Sequence, residues 1–153
     1  MKAVTHKNKK LVLLPIALAA AILLIALVAA GCGGQADEGV SVDVKFPEFV
    51  YRSEDSLKGY RIAVAYPEVL EFVPCYCGCE RDAEKYRSLK DCFINRQTGD
   101  YDEHAAGCAI CLEEAMDIGR WKKEGMSTKE IRERIDEQYK ERGEPTDTPM
   151  PPE

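Results

Sequence analysis

Behind a basic start carrying Lys2, Lys7, Lys9 and Lys10, the chain runs through twenty uncharged residues, Leu11–Ala30. Beyond them, apolar positions recur in short helix-spaced groups separated by Gly, Pro and polar stretches. "SEDSLKGYRIAVAY" offers Ser53 or Ser56 as an N-cap, with Leu57, Tyr60 and Val64 following at helical spacing. Pro67 suits the first turn of a second short helix through Val69, Leu70 and Phe72, and Pro74 ends it. Residues 80–92 set Ala83, Tyr86, Leu89 and Cys92 in steps of three and predict a moderately amphipathic helix. A polar link with a turn at Thr98–Gly99 leads to a longer helix, from about Asp102 or Glu103 to Lys123, stopped by Gly125. The clearest local signal comes next: Ser127 caps, Glu130 completes a capping box, and Met126 is set to staple against Ile131. That last helix runs to about Arg142 with one apolar stripe, Ile131, Ile135 and Tyr139. No segment alternates with the period of a strand. The expected fold is therefore all-α, a small cysteine-rich domain of four or five short helices.

The start of the chain has its own reading. A basic head, an apolar stretch and small residues form an export signal. It closes on "LVAAGC", which resembles the lipobox of bacterial lipoproteins, with Ala29 where leucine is commoner. Cys32 is then the lipidated residue. An uncleaved signal anchor is the alternative, and it leaves the rest of the chain on the same side of the membrane. The expected division is 1–31 signal peptide, 32–46 lipidated cysteine and flexible Gly- and acid-rich linker, 47–142 folded domain, and 143–153 disordered tail.

Removing the basic head leaves 17 basic against 27 acidic residues, a net charge of −10. So acidic a chain repels phosphate backbones and anionic lipid, which argues against nucleic-acid partners. Membrane contact is expected through the lipid on Cys32, on the extracytoplasmic face.

Six further cysteines, Cys75, Cys77, Cys79, Cys92, Cys108 and Cys111, are the candidate chemistry. Three of them crowd into "PCYCGC", a loop that Gly78 allows to bend. Disulfides within that loop would close tiny strained rings, so its thiols need partners from elsewhere. Along a continuous helix, His104, Cys108 and Cys111 would fall on one narrow stripe, the spacing of metal ligands. The same stripe also reads as core, because a thiol packs as a small hydrophobe. Six thiols satisfy three long-range disulfides as readily as a multi-thiolate metal site. If metal is held, soft sulfur with one imidazole selects Cu(I) or Zn(II). Thiol–disulfide exchange by Cys108 and Cys111 is disfavoured here, because Cys108 is expected more than a turn inside its helix, away from the activating N-terminus.

"PCYCGC", "SLKDCF", "HAAGCAICLEEA" and "GMSTKEIRERID" together resemble the bacterial PCYCGC-motif lipoproteins, over about Pro47 to Arg142. The six cysteines and His104 occupy that family's characteristic positions. The resemblance implies the domain boundaries and the lipid on Cys32, and carries no activity with it. The expected function is a membrane-tethered extracytoplasmic protein that binds a soft metal for trafficking, sensing or storage, without turnover. A thiol–disulfide exchange protein with an extracytoplasmic partner, or a disulfide-stapled interaction module, are the alternatives.

Overall fold

The chain divides into two units, Met1–Glu38 and Gly39–Glu153. A computed structural model describes residues 40–78, 82 and 84–152, all within the second. Cys32 and Cys79 lie outside the described residues, as does the apolar run near the start. Among the described residues, no helix is long and apolar enough to cross a membrane.

Four α-helices and no sheet occur among the described residues, as the apolar periodicity predicts. A 3-10 turn, Glu48–Arg52, precedes α1, Glu54–Ala65, whose first turn is capped by Ser53 accepting from the Ser56 N–H. Pro67 opens α2, Pro67–Leu70, where its missing N–H costs nothing. The longest helix is α3, Ala109–Lys123. The last, α4, Thr128–Tyr139, carries the predicted capping box, with Ser127 and Glu130 each accepting from the other's backbone N–H. Its buried stripe is Ile131, Ile135 and Tyr139.

α1 and α3 cross closely because each contributes a glycine at the contact. A Cβ on Gly59 would lie 2.7 Å from Leu112 Cδ2, and one on Gly119 would lie 2.8 Å from Ile62 Cδ1. Neither neighbour could pack so near any larger residue. Around this crossing the core is aromatic on one side. Tyr60 meets Phe93 edge-on at 5.0 Å, with Phe46, Phe49 and Tyr101 at 6.3, 5.9 and 6.2 Å.

Three expectations need correction. The helix predicted over 80–92 reduces, among its described residues, to the 3-10 helix Leu89–Cys92. Steps of three match the three-residue turn of a 3-10 helix better than the 3.6 of an α-helix. Asp91, buried, accepts from the Arg87 N–H at 2.8 Å, which tightens the approach to Cys92.

The flexible linker ends earlier than expected. Val40 and Val42 are partly buried against the core and Phe46 is buried, so these three residues dock the segment while Val44 stays exposed.

Nor is the described part of the tail disordered. Residues 144–152 form a strap without regular secondary structure in which Thr146 and Thr148 are buried. Prolines 145, 149 and 151 favour an extended chain. The strap's backbone is satisfied from both sides: the Thr146 N–H donates to the Cys75 carbonyl, and Arg132 Nη1 donates to the carbonyls of Thr148 and Pro149.

Candidate metal centre

After α2 and a turn at Glu71–Phe72, Pro74 opens a loop that reaches the N-terminal end of α3, where the sulfurs of Cys75 and Cys111 meet. That loop is held by its backbone. The Cys75 N–H donates to Thr146 Oγ1 at 2.9 Å, and the Cys75 carbonyl accepts from the Thr146 N–H at 3.1 Å. One residue on, the Tyr76 N–H donates to Glu114 Oε1 at 2.9 Å. Gly78, at φ 83, then turns the chain where a side chain would be strained. Val73 ties the loop to the next element, accepting from the Leu89 N–H at 2.8 Å. Cys92, at the end of that 3-10 helix, is therefore brought beneath the loop.

The fourth segment arrives through the polar link. Ile94 and Tyr101 pair antiparallel, and the Asp102 N–H donates to the Phe93 carbonyl, so 102–108 returns beside Cys92. Here the predicted continuous helix is also corrected. A single 3-10 turn, Ala105–Gly107, is followed by Cys108 in extended geometry (φ −119, ψ 106), and α3 begins only at Ala109. Gly107 is the legible cause, since glycine weakens a helix interior by roughly 1 kcal/mol against alanine. Cys108 is consequently the N-cap of α3, and Cys111 lies in its first turn. The partial positive charge of a helix N-terminus thus faces both sulfurs.

His104 is oriented on two sides. Its backbone N–H donates to Asp102 Oδ1 at 2.9 Å, and its ring packs against the Tyr86 ring at 4.8 Å. Lys85 holds the other oxygen of Asp102 at 3.1 Å. The imidazole Nε2 then lies 3.4 Å from Cys77 Sγ.

Two overlapping ligand sets result. The ligating atoms of Cys77, His104, Cys108 and Cys111 all lie within 4.8 Å of one another. So do those of Cys75, Cys92 and Cys111, all three fully buried. Cys75 Sγ and Cys111 Sγ are 3.5 Å apart, beyond the 2.05 Å or so of a disulfide bond. The structure thus brings together six of the seven residues singled out in the sequence, and the seventh, Cys79, lies outside the described residues.

Crowding sets the protonation of these thiols. Cys111, hydrogen-bonded by the Cys108 thiol and deeply buried, is held well above the usual thiol range. The Cys111 thiol pulls Cys108 down, but Cys77 and burial outweigh it, and Cys108 is pushed up to about 11. Without a cation, negative charge is unwelcome at this point.

Sequence reasoning missed Glu114 and the two threonines. Glu114 sits three residues after Cys111 in the buried stripe of α3, and a carboxylate in an otherwise apolar stripe was the available signal. Burial pushes its carboxyl up to about 8, against the contrary pull of the Tyr76 N–H and the Cys75 thiol. Thr146 and Thr148 alternate between prolines, which gives no comparable signal.

The profile of one protein family, described as a protein of unknown function with PCYCGC motif, matches residues 22–151. The chain belongs to this family. No match is found among curated proteins or solved structures. Cys75 and Tyr76 of the PCYCGC hexapeptide that gives the family its description are pinned to the strap and to Glu114.

Proposed function

We propose that this PCYCGC protein binds a soft metal ion, Cu(I) or Zn(II), on the extracytoplasmic side of a membrane to which the lipid on Cys32 tethers it. Its role is to carry, sense or store the ion without chemical turnover. The observation that carries this reading is the convergence of three thiols and one imidazole, from three separate segments, within 4.8 Å. A tetrahedral ion with bonds of about 2.3 Å sets its ligands about 3.8 Å apart, so small rotamer shifts close the set. Packing alone does not call for an imidazole edge 3.4 Å from a thiol. The position of Cys108 at the helix N-cap favours the same reading, because thiolate ligands gain from the dipole there.

That N-cap position also favours a second reading, thiol–disulfide exchange by Cys108 and Cys111, since such pairs open helices. Against it stands the raised pKa of Cys108, where an attacking thiol needs a lowered one.

The test is metal content and thiol reactivity of the full chain, purified anaerobically in detergent. The metal reading expects at least one tightly held ion per chain and alkylation that becomes rapid only after chelation. The absence of any retained metal, with Cys108 alkylating far faster than the rest, would establish the exchange reading instead.

A further inference from the structure

The two ligand sets share one sulfur. Cys77, His104 and Cys108 flank Cys111 on the partly exposed side, and Cys75 and Cys92 flank it on the buried side. A closed site takes four ligands around Zn(II) and no more around Cu(I), so a single ion leaves at least two of these six donors unused. The two left over, Cys75 and Cys92, are the ones that gather with Cys111 into the second set.

We propose that the cluster is a two-ion Cu(I) centre in which the Cys111 thiolate bridges a Cys77–His104–Cys108–Cys111 site and a buried Cys75–Cys92–Cys111 site. This rests on the soft-metal reading above and adds the stoichiometry, the bridging atom and the metal. The geometry suits a bridge. Cys111 Sγ already lies 3.5 Å from Cys75 Sγ, inside the roughly 4 Å that three sulfurs keep around one ion with bonds of about 2.3 Å. Cys111 also stands in the first turn of a 15-residue helix, where the partial positive charge of the N-terminus favours a charged sulfur.

The buried set selects the metal. It gathers three thiols, an all-sulfur donor set. Cu(I) is content with three sulfurs, whereas Zn(II) in a closed site takes four ligands. Each thiol yields its proton to solvent as its copper–sulfur bond forms, and no electron changes hands. Two ions on one sulfur stand no further apart than twice the bond length, about 4.6 Å.

The experiment is anaerobic titration of the full chain in detergent with Cu(I) delivered from a competing chelator, read by native mass spectrometry and copper X-ray absorption. The expected result is saturation at two ions per chain with a copper–copper distance within about 4.6 Å. Cys92→Ala and Cys75→Ser are each expected to hold one ion, and Cys111→Ser to lose the copper–copper signal. The wild-type measurements decide the matter without any variant. Saturation at one ion, or at two with no copper–copper signal, overturns the bridged centre and leaves the metal reading standing. Failure to take up copper or zinc at all overturns both.

Discussion

Glu114 shows how one side chain fixes the hexapeptide and what that costs. Its Oε1 accepts the Tyr76 N–H, so the loop is aimed by a group in α3, one turn beyond Cys111. Burial pushes its carboxyl up to about 8. Between the ordinary value of 4.5 and 8, the fold therefore holds a proton that the unfolded chain has lost. That contribution to stability is complete below about pH 4.5 and is lost as pH rises through 8, a span worth at most a few kcal/mol. Glu114→Gln keeps the carbonyl acceptor for Tyr76 and removes the titration. Denaturant unfolding of the metal-free chain should thus lose stability from pH 5 to 8 in the wild type and stay flatter in the variant; parallel curves would contradict this. Glu114→Ala should cost about 1–3 kcal/mol at pH 5, since it strands the Tyr76 N–H. At the same scale, metal affinity should fall on acidification, about tenfold per pH unit for each thiol proton displaced. An affinity independent of pH would show that neutral thiols or other groups hold the ion. The cysteines and His104 were legible in the sequence because sulfur and imidazole are scarce enough to stand out. Glu114 was not, because its meaning depends on which face of α3 is buried.

Among the elements, caps and prolines mark where helices start, whereas apolar periodicity alone overstates how far they run. Ser53, Pro67 and the Ser127–Glu130 box start helices where expected, since each acts through its own neighbours. The offsets of His104, Cys108 and Cys111 suit a helix, yet a 3-10 turn followed by a fresh helix brings the same three together. A tertiary centre, not a helical stripe, accounts for that spacing. The composition of the strap after Arg142 is poor in apolar residues and predicts disorder, and its order comes instead from hydrogen bonds to Cys75, to Arg132 of α4 and to the Arg87 carbonyl. Two substitutions separate its role from general stability. Thr146→Val keeps the shape and removes the acceptor for the Cys75 N–H, and it should weaken metal affinity by roughly tenfold, from the cost of a stranded buried donor. Ser127→Ala should cost about 1 kcal/mol of stability and leave metal affinity unchanged, because its box lies at the start of α4, away from the ligands. Equal losses of affinity in both would refute a specific role for the strap. Gly143→Ala should act like the Thr146 variant, since its Cβ would meet the Tyr76 carbonyl oxygen at 2.6 Å.

For the molecule as a whole, the folded unit has a small core, and domains of this size commonly rely on a cross-link or a metal as well as packing. The candidate ligands come from the hexapeptide loop, the 3-10 helix ending in Cys92, the His104 turn and the first turn of α3. An ion among them would join segments up to 36 residues apart, the separation of Cys75 and Cys111. Folding and metal binding should then be one equilibrium. The direct measurement is thermal unfolding of the reduced full chain in detergent, with and without stoichiometric Cu(I) or Zn(II). A shared metal centre predicts a rise of ten degrees or more, reversed by a chelator and absent in Cys111→Ala; at 1,000 times the dissociation constant a ligand adds about 4 kcal/mol. An unfolding temperature that neither metal moves would contradict it.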